Sequence, residues 1–309
     1  MENNLMVTSS PHITDSATTR GLMLKVIIAT VPAIAASGVI FGLRALLLIA
    51  VTVIACVGFE YLYCKAMKQD VSVGDLSAVV TGILLAFNLP STLPFWMAVV
   101  GALIAVIVTK QLFGGIGYNF ANPAIVGRIV LAVSFTGAMT NFAYPDTLSG
   151  VDALAGATPL AAANAGAELP LLDLFLGTHG GVLGETCIAA LLLGGIYLIA
   201  TKTISPVIPV TYLGTVAVIS LVAGQDPLVQ LCSGGLVLGA FFMATDYVTS
   251  PFTVKGKLIF GLGLGLITCA IRFLGNSAEG VSYAILLMNL FVPYINTLTR
   301  QKPLGGAKK

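Results

Sequence analysis

Apolar stretches long enough to cross a lipid bilayer recur along the whole chain. A spanning helix needs about 20 mostly apolar residues, because each residue adds about 1.5 Å and the hydrocarbon core is about 30 Å thick. The sequence predicts ten spans, at residues 22–41, 44–63, 74–90, 95–112, 120–138, 184–202, 206–223, 229–245, 257–274 and 280–299. Glycine, proline and asparagine make the third, fifth and eighth spans the shortest or most interrupted. The predicted fold class is an all-α polytopic membrane protein with about ten transmembrane helices.

The charged fraction of the sequence is too small to cover the surface of a soluble protein. Charged residues make up 9% of the chain, against roughly 25% in an ordinary soluble domain. A charge at the centre of a bilayer costs about 2.5–3.5 kcal/mol on insertion scales, so this scarcity is what burial in lipid requires. The net charge is only +2, and no basic patch with interleaved aromatic residues indicates a nucleic-acid partner. The composition therefore indicates the lipid bilayer as the surroundings of the chain.

The cysteines and histidines are spaced in a way that does not favour metal binding. The five cysteines form no CxxC pair, and the two histidines, His12 and His179, lie far apart. Zinc and haem sites need closely placed cysteine or histidine ligands. We therefore predict no metal ligand and no catalytic residue in this chain, and any electrons that it handles must be carried by an organic cofactor.

The distribution of lysine and arginine predicts the orientation of the chain. Placing the N-terminus in the cytoplasm puts most of the positive charges at the cytoplasmic boundary, whereas residues 138–184 contain four acidic residues and no lysine or arginine. Such an asymmetry follows the positive-inside rule. Arg44 and Arg272 are exceptions near the opposite face, and Arg128 in the fifth span is expected to face a protein interior or a bound anion. Both termini are predicted to be cytoplasmic, and the polar N-terminal segment contains no cleavable signal peptide.

An internal repeat divides the predicted spans into two groups of five. The sequence TGILLAF at 81–87 corresponds to LGAFFMA at 238–244, and a similar offset relates the segments after them. Because five is odd, the second half must be inserted upside down, and such inverted repeats place sites between broken helices near mid-membrane. Here those would be the turns at 88–90 and 246–251, with residues 119–123. The predicted segments are a tail at 1–20, a first repeat at 21–138, an outward loop at 139–183, a second repeat at 184–299 and a tail at 300–309.

A threonine in the predicted outward loop is the first candidate site. Thr158 follows the small residues Gly156 and Ala157 in the sequence DALAGATPL. The proline after it disfavours helix in the preceding residue, which predicts an extended and exposed hydroxyl. The same pattern also describes many structural turns.

Two further motifs place polar side chains at the ends of spans. Asn119 and Asn122 lie in the sequence FGGIGYNFANPA, where they would either line a polar pocket or cap backbone groups. Thr245 and Asp246 lie in the sequence ATDYVTSP, where their oxygens would either contribute to a cation path or face the cytoplasmic interface.

Together the three motifs resemble one family over essentially the whole chain. The family comprises the D subunits of Rnf complexes, which are ion-translocating ferredoxin:NAD⁺ oxidoreductases, and the B subunits of Na⁺-translocating NADH:quinone reductases. The resemblance extends to the sequence EGVSYAILLMN at 279–289. The chain length is closer to that of the Rnf members.

The resemblance implies FMN linked through its phosphate to Thr158 and a second, non-covalent riboflavin, which we place near Asn119 and Asn122. Gly156 and Ala157 match the attachment sequence of the family, whereas Ala155 stands where serine is common. The implied location is the bacterial inner membrane, with the A, B, C, E and G subunits and a flavin transferase as partners. Such a subunit relays electrons and couples their flow to Na⁺ or H⁺ translocation, but catalyses no complete reaction alone.

Two other classes of function also fit parts of the sequence. Inverted five-helix repeats describe urea-channel-like proteins, which pass a small neutral solute, and a subunit that only holds redox partners together would need similar spans. Neither requires a flavin on Thr158, so bound flavin distinguishes them from the redox interpretation.

Overall fold

Helices form nearly all the regular structure in the computed structural model, which describes residues 17–142, 159–160, 171–177, 179–275 and 280–301. The helices are α1 (Thr19–Phe41), α2 (Leu43–Ala66), α3 (Ser77–Phe87), α4 (Phe95–Leu103), α5 (Pro123–Ser134), α6 (Thr136–Met139), α7 (Leu171–Leu176), α8 (Ile188–Ala200), α9 (Val207–Val222), α10 (Pro227–Cys232), α11 (Leu236–Leu238), α12 (Val254–Leu274) and α13 (Val281–Leu298). Two π-helices, Ile104–Val108 and Gly239–Met243, continue α4 and α11. The predicted all-α fold class is confirmed.

Capping residues set where the helices begin. Thr18 Oγ1 accepts a hydrogen bond from the backbone N–H of Gly21 at 3.1 Å and caps α1. Thr253 Oγ1 likewise accepts a hydrogen bond from the backbone N–H of Gly256 and caps α12. These side chains satisfy backbone N–H groups that have no partner within the helix, which matters more in a membrane, where no water replaces them.

Five helical stretches in the described ranges are long and apolar enough to cross a membrane: Thr19–Phe41, Leu43–Ala66, Phe95–Phe113, Val254–Leu274 and Val281–Leu298. All five coincide with predicted spans. The helices at the other predicted spans are shorter than a bilayer. With 11 residues, for example, α3 is about 17 Å long. The eighth predicted span is divided into α10, α11 and a π-helix, because Gly234 and Gly235 adopt positive φ angles of 70° and 65°.

The helices of the two halves make corresponding contacts. In the first half α2 packs against α3 and α4, and in the second half α9 packs against α10 and α12. Between the halves, the first helices α1 and α8 contact each other, as do the fifth helices α5 and α13. Contacts between equivalent elements are those expected of two units related by a pseudo-twofold axis. The inverted insertion and the boundaries of the predicted segments stay predictions.

Glycines allow the closest approach between the two halves. Gly194 of α8 lies so close to α1 that a Cβ would sit 2.1 Å from the carbonyl oxygen of Ala29. Within the second half, a Cβ on Gly195 would sit 2.5 Å from a ring carbon of Phe241, so this glycine lets α8 approach the second π-helix. Small residues of this kind let helix backbones meet in a membrane, where association depends on close packing.

The described end of the predicted outward loop returns into the protein. The backbone N–H groups of Leu183 and Gly184 donate to the carbonyls of Leu89 and Phe87 at 3.1 and 2.8 Å. The hydroxyl of Ser37 on α1 donates to the carbonyl of Leu183 at 2.7 Å. This segment is therefore held against the ends of α1 and α3.

A methyl group at Gly194 is expected to destabilise the contact between the halves. Gly194→Ala should lower the free energy of unfolding by about 1–3 kcal/mol, because the Cβ overlaps a backbone carbonyl. Gly214→Ala is the matched control: Gly214 is also inside a helix, but no atom lies within 4 Å of its Cβ position. Thermal unfolding of the purified protein in detergent measures both, and equal midpoints for the two variants would contradict this account of the interface.

Candidate functional site

A cavity of about 430 Å³ lies between the two halves, and it contains the polar residues predicted from two of the sequence motifs. It is bounded by the first turns of α1 and α3, the end of α8, and the segments around α5 and the second π-helix. Asn119, Asn122, Thr245 and Asp246 all line it. The two motifs, more than 100 residues apart, therefore form one site. The predicted topology puts this site towards the cytoplasmic side, where α1 begins.

Asn122 connects the two halves through its side chain and backbone. Its Oδ1 accepts from the backbone N–H of Ala124 at 3.0 Å and caps α5, while its Nδ2 donates to the carbonyl of Met243 at 3.2 Å. With the amide of Asn289 oriented so that its oxygen faces a donor, the backbone N–H of Asn122 donates to Asn289 Oδ1 at 3.1 Å. The capping role considered from the sequence is present, and it also fixes one wall of the cavity.

The carboxylate of Asp246 is surrounded by hydrogen-bond donors. Thr249 Oγ1 donates to Asp246 Oδ2 at 3.0 Å, and the side chain of Asn119 and the backbone N–H of Val248 also bind this carboxylate. Burial raises the pKa of Asp246 above its ordinary value, and these hydrogen bonds oppose the rise. The carboxyl group therefore holds a proton more readily than the carboxyl group of an exposed aspartate does.

The residues on either side of Asp246 bind this segment to other parts of the second half. Thr245 Oγ1 donates to the carbonyl of Phe241 at 2.6 Å, within the π-helical turn. The hydroxyl of Tyr247 donates to the carbonyl of Thr203, just after α8. The segment is thus held on both sides of Asp246.

Both π-helices lie next to this site. Each contains bonds from an N–H to the carbonyl five residues earlier: Thr109 to Ile104 at 3.0 Å and Ala244 to Gly239 at 2.7 Å. Such wide turns are rare and occur often at functional sites. No pattern in the sequence predicts them, because apolar residues of the same kind also form ordinary α-helix.

A fully buried ion pair, which the sequence analysis missed, adjoins the cavity. Lys110 Nζ lies 3.0 and 2.9 Å from the two carboxylate oxygens of Glu60 and also donates to the hydroxyl of Ser77. The hydroxyl of Ser72 donates to the same carboxylate. The side chains of Glu60 and Lys110 are 0% and 4% exposed. The sequence feature that could have indicated this pair is Glu60 itself. It is an acidic residue inside an apolar span, where a charged side chain needs a partner of opposite charge.

Arg128 is buried where the two halves meet, as expected for a charged residue inside the fifth span. Its Nη1 donates to Asn88 Oδ1 at 3.0 Å and to the hydroxyl of Ser282 at 2.7 Å. These bonds join α5 to the end of α3 and to α13.

The predicted attachment site Thr158, with Gly156 and Ala157, lies outside the described residues. The two residues after it, Pro159 and Leu160, are described and buried. Leu160 packs beside Gly234 in the break between α10 and α11: a Cβ on Gly234 would lie 3.1 Å from Leu160 Cδ2. Neither Leu160 nor Gly234 lines the cavity between the halves.

The long apolar helices, the half-length helices and the paired buried charges define an all-α polytopic membrane protein. The chain belongs to the NQR2, RnfD, RnfE family, whose model matches residues 6–305.

Several curated relatives cover nearly the whole chain. The D subunit of the Na⁺-translocating ferredoxin:NAD⁺ oxidoreductase complex of Acetobacterium woodii is 49% identical, over 99% of this chain and 97% of the relative. The D subunit of the proton-translocating ferredoxin:NAD⁺ oxidoreductase complex of Clostridium ljungdahlii is 40% identical, over 98% and 97%. The D subunit of the ion-translocating oxidoreductase complex of Cronobacter sakazakii is 36% identical, over 97% and 98%. The named relatives are therefore D subunits of ion-translocating oxidoreductase complexes, as the family resemblance predicts.

Removing one member of the buried ion pair is expected to be costly. Lys110→Met should lower the free energy of unfolding by about 3–5 kcal/mol, because it leaves Glu60 charged and buried without a counter-ion. The double variant Glu60→Gln/Lys110→Met should recover most of that loss. Thermal unfolding in detergent measures the stability of both variants. If the double variant were no more stable than Lys110→Met, the unpaired charge of Glu60 would not be the cause of the lost stability.

Proposed function

We propose that this chain is the flavin-carrying membrane subunit of an Rnf-type complex, which couples electron transfer between ferredoxin and NAD⁺ to ion translocation. The observation that carries the proposal is the full-length similarity to relatives named as the D subunits of such complexes. The complex provides the enzyme activity, and this chain contributes an electron relay rather than a complete reaction. The bacterial inner membrane and cytoplasmic termini belong to the same proposal.

Thr158 is the proposed attachment residue, with FMN joined through its phosphate to the threonine oxygen. Gly156 and Ala157 leave room for the flavin and for the transferase that attaches it, because neither has a bulky side chain. Pro159 disfavours helix at Thr158, which would help to present the hydroxyl. The burial of Leu160 supports a fixed anchor immediately after the attachment point. When bound, flavin accepts one or two electrons and connects one-electron carriers with two-electron carriers.

The cavity between the halves suits a second, non-covalent flavin. Its volume of about 430 Å³ lies in the range of small-molecule sites, which are mostly apolar with a few fixed polar groups. Leu84 and Phe242 form part of the apolar wall of the cavity, and Asn119 and Asn122 place their side-chain amides at it. We assign riboflavin to this cavity because a neutral ring would lie against the apolar wall and bond to the amides.

Asp246 and Thr245 are the proposed start of the ion path. Both place oxygen atoms at the cavity, and oxygen ligands suit hard cations. An electron that arrives on a nearby cofactor adds negative charge in a low-dielectric region, which favours uptake of a cation there. Two relatives are named for different ions, sodium and protons, and the oxygen atoms of a carboxylate can bind either.

The partners proposed for this chain are the A, B, C, E and G subunits and a flavin transferase. The names of the relatives, each a subunit of a complex, support assembly with other proteins. Ferredoxin and NAD⁺ would bind to those other subunits. A channel for a small solute and a scaffold without cofactor predict instead a colourless purified protein.

Covalent flavin at Thr158 is expected to appear as a fluorescent band under ultraviolet light after denaturing electrophoresis. The wild-type complex, expressed with its flavin transferase, should show the band and Thr158→Ala should lose it completely. Thr158→Ser keeps a hydroxyl and should keep the band. On denaturation the Thr158→Ala protein should still release riboflavin, measured by chromatography. A dark wild-type band, with the transferase shown to be active, would remove the redox proposal in favour of a channel or scaffold.

Asp246→Asn is expected to impair ion transport without affecting flavin attachment. Loss of a charged, hydrogen-bonded ligand should reduce ferredoxin-driven ion uptake into membrane vesicles about 10-fold or more. Asp226→Asn is the control, because Asp226 is an exposed helix cap outside the cavity and asparagine caps equally well. If Asp246→Asn left both transport and electron flow intact, Asp246 would have no part in the ion path.

A further inference from the structure

A buried arginine lies just beyond one end of the cavity between the halves. The cavity is lined by α3 as far as Leu84, and by Asn122 and Pro123 at the start of α5. Asn88 follows Leu84 by one helical turn, about 6 Å, and its Oδ1 accepts from Arg128 Nη1 at 3.0 Å. Arg128 lies five residues after Pro123, about 8 Å along α5. Both helices begin at the cavity, so both place this guanidinium beyond the residues that line it.

A buried carboxylate, that of Glu185, lies farther along the same direction. The first two turns of α1, within residues 19–26, line the cavity, whereas Ser37 near the other end of this helix donates to the carbonyl of Leu183. Glu185 follows Leu183 by two residues, is buried, and interacts electrostatically with Arg128. Arg128 therefore lies between the cavity and Glu185, so a group that leaves the cavity in this direction reaches the guanidinium first.

Hydrogen bonds connect Arg128 to the cavity wall and to both halves of the protein. Nδ2 of Asn88 contacts Sδ of Met243 at 3.6 Å, and the carbonyl of Met243 accepts from Asn122, which lines the cavity. Nη1 of Arg128 also donates to the hydroxyl of Ser282 on α13 at 2.7 Å. Asn88 and Asn122 belong to the first half, and Met243 and Ser282 belong to the second. The guanidinium is therefore held at the boundary between the halves, directly behind the cavity wall.

The charge at this position opposes a cation that would continue from the cavity along the boundary. A guanidinium keeps its proton throughout the physiological pH range. A unit charge also acts strongly over several ångströms where no water screens it. Arginine side chains that line the pores of membrane proteins exclude cations in this way. The cavity thus has a carboxylate that attracts a cation, Asp246, and a cation behind its wall that repels one, Arg128.

We propose that Arg128 closes the cavity against cations, so that a cation bound at Asp246 does not cross between the two halves while the guanidinium stays in place. The barrier consists of the charge of Arg128, and its bonds to Asn88 and Ser282 hold that charge on the path. A closed path prevents the ion gradient across the membrane from being lost through this subunit. The inference rests on the proposed ion path that starts at Asp246.

The test is the passive leak of cations through the intact complex in liposomes, without ferredoxin or NAD⁺. A potassium diffusion potential set with valinomycin drives the leak, radioactive sodium reports Na⁺, and a pH-sensitive dye reports protons. Arg128→Ala removes the side chain, Arg128→Gln removes the charge but keeps a hydrogen-bonding group, and Arg128→Lys keeps the charge. Arg44→Met is the control, because Arg44 also donates to two carbonyls, those of Ser91 and Thr92, but all three residues lie within the first half.

Wild type, Arg44→Met and Arg128→Lys are expected to hold the cation gradient equally well. Arg128→Ala and Arg128→Gln should leak Na⁺, protons or both about 10-fold faster or more, because the repelling charge is gone. Adding Asp246→Asn to Arg128→Gln should slow the leak again, because the cation then loses its ligand in the cavity. If Arg128→Ala does not assemble into an intact complex, the comparison of Arg128→Gln with Arg128→Lys decides.

Three results would overturn the proposal. The first is an equal leak rate in wild type, Arg128→Ala and Arg128→Gln. The second is a leak through Arg128→Lys as fast as that through Arg128→Gln, which would make lost packing rather than lost charge the cause. The third is a leak through Arg128→Gln that Asp246→Asn does not slow, which would place the path outside the cavity. These measurements need neither flavin nor electron transfer, so failure of the proposed electron relay, seen as a dark wild-type band, is distinguished from failure of the barrier.

Discussion

The need to pair every polar group without water organises this protein. In a bilayer an unpaired backbone or side-chain group costs several kcal/mol, so interrupted helices are stable only where the rest of the protein supplies partners. The short α3 and the broken stretch from α10 to the second π-helix lie between longer helices for this reason. Asn122 shows the principle in one residue, since it caps α5 and binds the carbonyl of Met243. The cavity exists because these irregular ends meet at one place.

Much of the fold was predictable from the sequence, because lipid leaves few choices. A long apolar run must be a helix, so the positions of α1, α2, α4, α12 and α13 followed directly. Glycine, proline and asparagine correctly indicated which helices are short. The exact path through the break at Gly234 and Gly235 did not follow, since positive φ angles depend on the contacts that surround them.

The candidate site was predictable in its residues and, through the repeat, in its place between the two halves. Asn119, Asn122, Thr245 and Asp246 were recognisable as polar groups at the broken helix ends where an inverted repeat places a site. The shape of the cavity and the hydrogen bonds of its residues did not follow, because they depend on how one half packs against the other. Glu60 and Lys110 were missed because their pairing joins α2 to the end of α4, across 50 residues of chain.

The π-helix Gly239–Met243 has a geometric consequence for the residues after it. A wide turn contains one residue more than an ordinary turn, and one residue rotates a helix by about 100°. The helix ends at Met243, and Thr245 and Asp246 lie in the turn that follows. The additional residue therefore changes by about 100° the direction in which the chain leaves the helix, and with it the direction in which this turn approaches the cavity. An irregular turn within one apolar helix thus helps to set where the polar segment after it begins.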